Sequence, residues 1–334
     1  QMDFGFDASF LNNRLTGTFD WYRRNTKDML VAGATLPATL GASVPKSNSA
    51  DMKTIGWELS LGWNDRLENG FSYWVKGVLS DYQATITKYA GNDAGFYSQS
   101  DDDGKYYVGQ KIGEIWGYHS NGLFQSDDEA ATIDQSELYA GKWGAGDVKY
   151  EDLDNDGKIT KGEETIYNPG DKSIIGNKTP RYQFGITVGF DYKNFDFEMF
   201  WQGTGKRDYM LSGAQFWGFT SQWDVPYTPA LDYWTETNTD AYFPRPGWQN
   251  GGNRVTSDRY LQSAAYGRLK NLTVGYTIPK NLTTKWGISR LRLYVTGENL
   301  LTITPLNDAF DPETLGGMTY PINRKVAIGL NLTL

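Results

Sequence analysis

The clearest chemical signal in this chain is an acidic segment at residues 152–163, which reads DLDNDGKITKGE. Its oxygen-bearing residues recur at the spacing of a calcium-binding loop, in which side-chain and carbonyl oxygens converge on one cation. Gly157 occupies the place where such a loop makes its sharp turn. The expected metal ligands are the side chains of Asp152, Asp154, Asp156, Thr160 and Glu163 and the carbonyl oxygen of Lys158.

The cation predicted for this segment is calcium. Hard oxygen ligands suit a hard cation, and clustered carboxylates repel one another unless a positive charge lies among them. Magnesium is the alternative metal, although its strict octahedron accepts fewer ligands than this segment offers. A solvated acidic turn without metal is the other interpretation. Because all the ligands are protein oxygens, no coordination position is open for catalysis, and we expect a structural ion that holds a loop in shape.

Other candidate chemistry is weaker. Asp101, Asp102 and Asp103 could make a second cation contact, but a charged loop tip is the simpler interpretation. The single histidine, His119, has no visible relay partner and reads as polar surface, and the chain has no cysteine. Neither a P-loop nor a serine-nucleophile motif is present. The sequence therefore predicts a protein that is not an enzyme, with no catalytic residues.

Aromatic residues in the predicted loops offer a second kind of surface. They could stack on sugar rings, or they could pack the loops against one another and against a partner; packing is slightly favoured. These residues are Trp116, Tyr118, Trp143, Trp217, Trp223, Trp234 and Trp248. The sequence does not identify which residues would contact a substrate.

The composition restricts the class of protein. The 334 residues contain no run near the roughly 20 apolar residues that a membrane helix needs. Aromatic residues make up 15% of the chain and 38 glycines accompany them, a mixture typical of strands, interfacial girdles and turns. The net charge of −8 opposes nucleic-acid binding, which requires a basic surface. The lack of cysteine is compatible with an exported protein without disulfide bridges.

Nine stretches of the chain alternate apolar and polar residues with period two, which predicts strands with one apolar face. In the last stretch Val326, Ile328 and Leu330 share one face, while Ala327 and Gly329 share the other. Short gaps near residues 11, 65, 193 and 279 alternate with long gaps that begin near residues 25, 90, 203 and 303. Short turns on one side and long loops on the other are typical of a transmembrane β-barrel.

The alternating gaps also predict the direction of each strand. Short turns belong on the periplasmic side and long loops on the extracellular side, so the last strand and the first strand both run towards the periplasm. A complete single-chain barrel has an even number of strands, and we therefore expect further strands before this chain. The predicted fold is all-β, an antiparallel transmembrane β-barrel over residues 1–334, with residues 90–180 as a long extracellular loop that contains the calcium-loop motif.

The alternative fold is a soluble β-sandwich or propeller, in which the apolar faces would meet inside a core. Gaps of about 60 to 90 residues argue against it, because such long loops are uncommon between the strands of a compact domain. In a barrel the apolar face meets lipid and the other face lines a polar lumen. The predicted lumen residues include Arg181, Gln183, Asp191, Asp196, Glu198, Arg292 and Glu298.

Five segments, in order along nearly the whole chain, carry a family resemblance. They are FLNNRLTGTFDWYRRNTKDML (10–30), GDVKYEDLDNDGKIT (146–160), IGNKTPRYQFGITVGFDYKNFDF (175–197), YGRLKNLTVGYTIP (266–279) and LRLYVTGENLLTIT (291–304). In these segments the chain resembles the SusC/RagA family of TonB-dependent outer-membrane transporters. The resemblance is to the C-terminal part of a much longer protein.

This resemblance implies a 22-stranded barrel, of which the chain supplies the last nine strands, while the plug and earlier strands lie in an N-terminal portion. It implies active import across the bacterial outer membrane, powered by the TonB complex through that portion. A SusD-like surface lipoprotein would cover the mouth, lipid would surround the wall, and transporter–lipoprotein pairs could form a dimer. Oligosaccharides (glycans) are the expected substrates and peptides the alternative; a soluble, calcium-braced protein that binds glycans is the other class.

Overall fold

A computed structural model of the chain describes residues 1–32, 39, 41, 45–90, 95, 106–315 and 320–334. The acidic residues 101–103 lie outside this part of the chain. The strands are β1 (Met2–Phe10), β2 (Leu15–Ala32), β3 (Lys46–Arg66), β4 (Ser72–Tyr89), β5 (Glu114–Tyr118), β6 (Ser120–Leu123), β7 (Val148–Tyr150), β8 (Lys172–Asn177), β9 (Arg181–Tyr192), β10 (Phe195–Lys206), β11 (Asp208–Met210), β12 (Leu261–Ser263), β13 (Tyr266–Thr277), β14 (Arg290–Ile303) and β15 (Lys325–Thr333).

Nine of these strands form one antiparallel sheet, in the order β1-β2-β3-β4-β9-β10-β13-β14-β15. The sheet, which we call the wall, contains the nine strands predicted from the alternation, in chain order and with short turns along one edge. The prediction of an antiparallel all-β fold is therefore confirmed. Among the described residues β1 and β15 are the two ends of the sheet and do not pair with each other, so the wall is open, as part of a barrel would be.

The short turns use residues that tolerate the left-handed backbone region. Asn12 and Asn13 have φ angles of 57° and 64° in the turn between β1 and β2, and Gly70 has a φ of 85° between β3 and β4. Asparagine and glycine occupy this region more readily than other residues because of their short polar side chain or missing Cβ. The turn chemistry thus brings consecutive strands together at one edge of the wall.

Several wall strands extend further than the alternation predicted. The expected loop from residue 25 to residue 51 is shorter, because β2 continues to Ala32 and β3 begins at Lys46. Similarly, β4 continues beyond Leu79 to Tyr89. The alternation fails there because apolar side chains switch to the other side of the sheet. Ile86 and Met52 lie on the side that is polar in the rest of the wall, and they pack there against Tyr106 and Ile112. The predicted strands therefore end too early, because the alternation pattern assumes that the apolar side chains stay on one face.

The long connections fold into a second part of the molecule, the loop layer, formed by residues 106–180, 207–265 and 304–315. Small antiparallel pairs, β5 with β8, β6 with β7 and β11 with β12, order its backbone. Short helices add turns at α1 (Asp127–Ala130), α2 (Ala214–Trp217) and three 3₁₀ segments (Thr228–Leu231, Gly251–Arg254 and Thr284–Trp286, the last beside the wall), and α3 (Lys280–Thr283) lies in the turn before β14. The long gap at 90–180 therefore contains real secondary structure.

The main buried core of the described residues lies in the loop layer. Its members come from all three long connections: Tyr118, Leu123, Val148, Tyr150, Ile159, Leu211, Phe216, Trp217, Ala230, Phe243, Tyr260, Ala264, Leu306, Phe310 and Leu315. Aromatic rings meet mostly edge to face, as where Trp217 and Tyr260 lie 4.5 Å apart between centroids. The polar side chain of Gln135 is also buried and bonds the backbone of Val148 and Tyr150. Because one core joins three connections, the loops fold as a unit.

No helix in the described residues is long and apolar enough to cross a bilayer.

Candidate functional site

The acidic segment predicted to bind a cation brings three carboxylates together. One oxygen from each of Asp152, Asp154 and Asp156 lies within 4.8 Å of the others. Backbone amides organise this cluster: Asp152 Oδ1 accepts from the Asn155 amide at 2.7 Å, and its Oδ2 accepts from the Gly157 amide at 2.7 Å. Gly157 has a φ of 83°, which carries the chain round the turn. The residues at the start of the predicted loop thus converge as the spacing requires.

The other predicted ligands lie differently. The Lys158 amide donates to Asp156 Oδ1 at 2.8 Å, which places Lys158 on the rim of the cluster. The backbone amide of Thr160 donates to Asp171 Oδ2 at 2.7 Å, and the carboxylate of Glu163 is not one of the three that lie together. The three aspartates of the first half of the loop therefore lie together, and the spacing alone assigns Thr160 and Glu163 to the same site.

The pKa values of two neighbouring carboxyls move in opposite directions. Desolvation raises the pKa of Asp152, but the amides of Gly157, Asn155 and Asp156 outweigh it and hold that pKa below its ordinary value. Desolvation, together with the charges of Asp156 and Asp171, raises the pKa of Asp154 despite one amide bond. The two pKa values differ because Asp152 accepts hydrogen bonds from three backbone amides, whereas Asp154 accepts one and lies beside other negative charges. The donor set and its charge fit a hard divalent cation.

The acidic loop is anchored to the rest of the loop layer on its far side. Ile159, in the middle of the loop, is fully buried in the core beside Tyr118 and Tyr150. Its amide donates to the Asp134 carbonyl at 2.8 Å, and the Asp134 amide donates to the Gly157 carbonyl at 3.0 Å. Neither bond uses the Lys158 carbonyl, which the sequence assigned to the metal. A short parallel bridge thus fixes the loop while its acidic side faces solvent.

The loop aromatics mainly pack. Trp116, Tyr118 and Trp217 are buried, and Trp143 and Trp234 lie against the core, which confirms the interpretation favoured from sequence for these five. Trp223 is 82% exposed and Trp248 is 47% exposed. These two rings alone among the seven are free to meet a ligand or a partner.

His119 is far better connected than the sequence suggested. Its Nδ1 lies 2.7 Å from Asp258 Oδ2, and its Nε2 lies 2.7 Å from Ser173 Oγ. Asp258 also accepts from the Ser120 amide at 2.9 Å. The three side chains come from segments far apart in sequence, so spacing gave no sign of them. The arrangement joins β8 to the connection before β12, and in this respect the expectation of an isolated polar histidine is wrong.

The apolar side chains of the wall share one face in continuous cross-strand rows. One row runs through Phe6, Phe19, Leu59, Leu79 and Phe184, and another through Val75, Val188, Met199 and Leu272. Members of this face stay exposed, such as Phe4 at 65% and Ile328 at 84%. No second layer of the described residues covers it. A soluble sandwich would bury these rows, so the wall fits a face that meets lipid.

Aromatic rings mark both edges of the apolar face. Near the short turns Phe190 stacks on Phe197 with 5.1 Å between ring centroids, and Phe195 meets Tyr276 at 4.7 Å. Near the loops Phe4, Trp21 and Trp57 lie in register. About eight residues of strand separate the two belts, or roughly 26 Å, which a tilt of about 40° reduces to about 20 Å of height. This is close to the ~25 Å apolar band of outer-membrane barrels.

The opposite face of the wall is polar. Asp196 and Arg292 form a two-pronged ion pair across β13, in which Nε lies 2.8 Å from Oδ1. Asp7 accepts from the Thr18 hydroxyl at 2.6 Å, and Lys325 pairs with Glu298 at 3.5 Å. Arg181 is an exception to the predicted lumen set. It pairs with Asp81, which lies two residues after Leu79 and opposite Trp57, on the apolar face of the wall. The backbone between Arg181 and the rest of β9 turns at Tyr182, whose φ is 54°.

The chain is similar to known TonB-dependent receptors along its whole length. TonB-dependent receptor P3 of Formosa agariphila is 29% identical over 361 residues, covering 99% of this chain and 34% of the receptor. TonB-dependent receptor SusC of Bacteroides thetaiotaomicron is 25% identical over 335 residues, covering 98% of this chain and 31% of SusC. The chain thus spans about a third of the length of the curated relatives it matches. No protein-family model matches it.

Solved structures share the fold. The RagAB peptide transporter superposes with a TM-score of 0.74 at 21% identity, over 99% of this chain and 34% of that chain. RagAB in its open-open state gives a TM-score of 0.75. The fold is therefore that of a wall segment of a TonB-dependent transporter barrel. The homologues along the whole chain are TonB-dependent receptors, SusC among them, and this confirms the resemblance to the SusC/RagA family found in the sequence.

Proposed function

We propose that this chain is part of the barrel of an outer-membrane importer that works with the TonB complex. The observation that carries the proposal is the continuous, exposed apolar face of the wall, bordered by aromatic belts, in a chain whose relatives are TonB-dependent receptors. The polar face with its ion pairs would then line the lumen. The long connections would lie outside the cell, where their shared core makes a rigid mouth.

The proposed substrates are oligosaccharides, taken up together with a SusD-like surface lipoprotein. The exposed rings of Trp223 and Trp248 in the loop layer support this choice, because flat aromatic faces stack on sugar rings. Peptides are the second candidate, since the structurally similar RagAB is a peptide transporter. A dimer of transporter–lipoprotein pairs is the proposed assembly.

The acidic loop is proposed to hold a structural calcium ion. Asp152, Asp154 and Asp156 would bind it through carboxylate oxygens, and the Lys158 carbonyl, Thr160 and Glu163 would complete the sphere. The converged carboxylates and the raised pKa of Asp154 support the proposal. Calcium would supply positive charge to the cluster and join its carboxylates to the end of the loop at Thr160 and Glu163.

An uptake assay tests the importer. Cells that lack the full-length receptor, and the same cells with the gene restored, are offered a labelled oligosaccharide mixture or a labelled peptide mixture, with and without an uncoupler of the proton gradient. We expect oligosaccharide uptake only in the restored, energised cells. Receptor-dependent peptide uptake would instead establish the second candidate. Equal uptake with and without the receptor for both mixtures would overturn the proposal.

A further inference from the structure

The carboxylate of Asp171 lies beneath the acidic loop and holds both of its ends. Its Oδ1 accepts from the Leu153 amide at 2.8 Å, near the beginning of the loop, and its Oδ2 accepts from the Thr160 amide at 2.7 Å, towards the end. The Asp171 amide in turn donates to the Thr160 carbonyl at 3.2 Å. Three hydrogen bonds from one residue therefore fix the distance between the two arms of the loop.

Asp171 is placed so that it can act on the loop but not bind the cation directly. Its side chain is 1% exposed, and both carboxylate oxygens are directed at backbone amides rather than at the cluster of Asp152, Asp154 and Asp156. It lies outside the segment 152–163, so the calcium-loop spacing gives no hint of it. A buried carboxylate is stable only when it is hydrogen-bonded or neutralised, and here backbone amides of the loop supply those bonds.

In the described part of the chain the acidic loop has no flanking helices to hold its two arms apart, which gives a structural reason for a clamp such as Asp171. In a helix–loop–helix calcium site the flanking helices set the separation of the loop ends. Here β7 ends at Tyr150 just before the loop, and no helix of the described residues flanks it on either side. Ile159 anchors the middle of the loop in the core, and among the described residues the side chain of Asp171 hydrogen-bonds both arms.

We propose that Asp171 is the positioning residue of the cation loop, replacing flanking helices by clamping Leu153 and Thr160. The inference rests on the proposed cation site. Outer residues that hold metal ligands in place typically change metal affinity about 10- to 100-fold when mutated. In Asp171→Asn the new amide group must face either the Leu153 or the Thr160 amide, so that a donor meets a donor and one clamp bond is lost.

The test measures binding of calcium alone to the full-length receptor in detergent by isothermal titration calorimetry, for the wild type, D154N, D171N and D147N. Asp147 provides a matched control, because it is also fully buried in the loop layer and pairs with Arg245 at 2.6 Å, away from the acidic loop. We expect D171N to raise the calcium Kd about 10-fold or more, and D147N to leave it within about twofold of wild type despite a lower thermal stability.

Hydrogen exchange of the Leu153 and Thr160 amides gives a second readout that survives a change in overall stability. In D171N both amides should exchange faster without calcium. The amide of Gly144, which donates a hydrogen bond to Asp147, is the control and should exchange at the wild-type rate. A wild-type receptor that binds no calcium would overturn the cation site itself. Calcium binding that D154N weakens but D171N leaves at the wild-type Kd would overturn the role of Asp171 alone.

Discussion

Asp154 shows how a single side chain reports the state of the acidic loop. Its pKa is raised because desolvation and neighbouring carboxylates disfavour its charge. Asp152, which accepts three backbone amides, keeps its charge more easily. A proton on Asp154 and a divalent cation in the cluster therefore compete for the same negative charge, since both neutralise it.

This competition predicts that calcium affinity falls as the pH is lowered through the raised pKa of Asp154. A group with a raised folded-state pKa stabilises the metal-free fold below its unfolded pKa, and that contribution is lost as pH rises through the folded value. Without a cation the loop is therefore least stable near neutral pH, where its carboxylates are charged and repel one another, and calcium would offset that repulsion. Titrations at steps from roughly pH 7 to pH 4 should show a steadily rising Kd, whereas a Kd independent of pH over that range would contradict the account.

At the residue scale the sequence identified the carboxylates but not their supports. Asp152, Asp154 and Asp156 converge as their spacing predicted. Asp171 and the His119–Asp258 contact could not be found, because each depends on segments brought together only by the fold. Glu163 is assigned to the site by motif spacing alone: it is not one of the three converged carboxylates, and its amide donates to the Asn168 carbonyl at 3.0 Å.

Each strand of the wall has one apolar face and one polar face. Val188 lies between Val75 and Met199 on the apolar face, whereas Thr187 lies between Lys76 and Phe200 on the polar face. Consecutive residues of one strand thus belong to different environments. Alternation revealed this division in the sequence wherever one face stays apolar.

The two faces should therefore respond oppositely to a charge. Val188→Arg places a charge on the apolar face, at a cost of about 2 to 4 kcal/mol near the middle of the bilayer, and should impair insertion into lipid vesicles. Thr187→Arg, the matched variant one residue away, should insert with nearly the wild-type yield because water or protein groups solvate it. Gel-shift measurement of the folded fraction checks this, and equal yields for the two variants would contradict the assigned faces.

Glycine on the polar face makes room for crossing side chains. A Cβ on Gly275 would overlap the Asp196 carboxylate and the Arg292 guanidinium, so that the ion pair bridges β10 and β14 only because β13 has no side chain there. Gly77, in β4, has open space around its position.

Gly275→Ala should consequently destabilise the wall more than Gly77→Ala. Both variants add one methyl group to a strand, but only Gly275→Ala displaces the two-pronged ion pair. We expect this displacement to lower the free energy of unfolding by about 1 to 3 kcal/mol. The midpoint of unfolding in guanidinium gives the comparison in the full-length receptor. A larger loss for Gly77→Ala would show that the ion pair does not stabilise the wall.

The whole molecule divides into a wall with little buried interior and a loop layer with a large core. The fold of the wall could be predicted because strand alternation and turn residues are local signals. The loop layer could not, because its core gathers Tyr118, Leu211 and Phe310 from three connections without any common period. Strand ends were misjudged for a related reason, since Ile86 and its neighbours pack on the face opposite to the rest of their strand.

Calcium should act on one of these parts and not the other. Because Ile159 joins the acidic loop to the core, removing the proposed ion should loosen the loop layer first. With a chelator, we expect faster hydrogen exchange of the amides of Ile159 and Tyr150 in the full-length receptor. Amides in the middle of β9, such as that of Val188, serve as the internal control and should keep their protection; uniform change in both parts would contradict the division.

The central claim is that lipid covers the apolar face of the wall. The chain has no cysteine, so once any cysteine elsewhere in the full-length receptor is replaced, single cysteines can be placed at residues 184–190 in liposomes and spin-labelled one at a time. Collision rates with oxygen, which concentrates in lipid, and with a water-soluble nickel chelate are then measured. We predict high oxygen and low nickel collision at 184, 186, 188 and 190, and the reverse at 185, 187 and 189. Labels at the even positions that are shielded from both reagents would reveal a protein layer over that face and contradict the account.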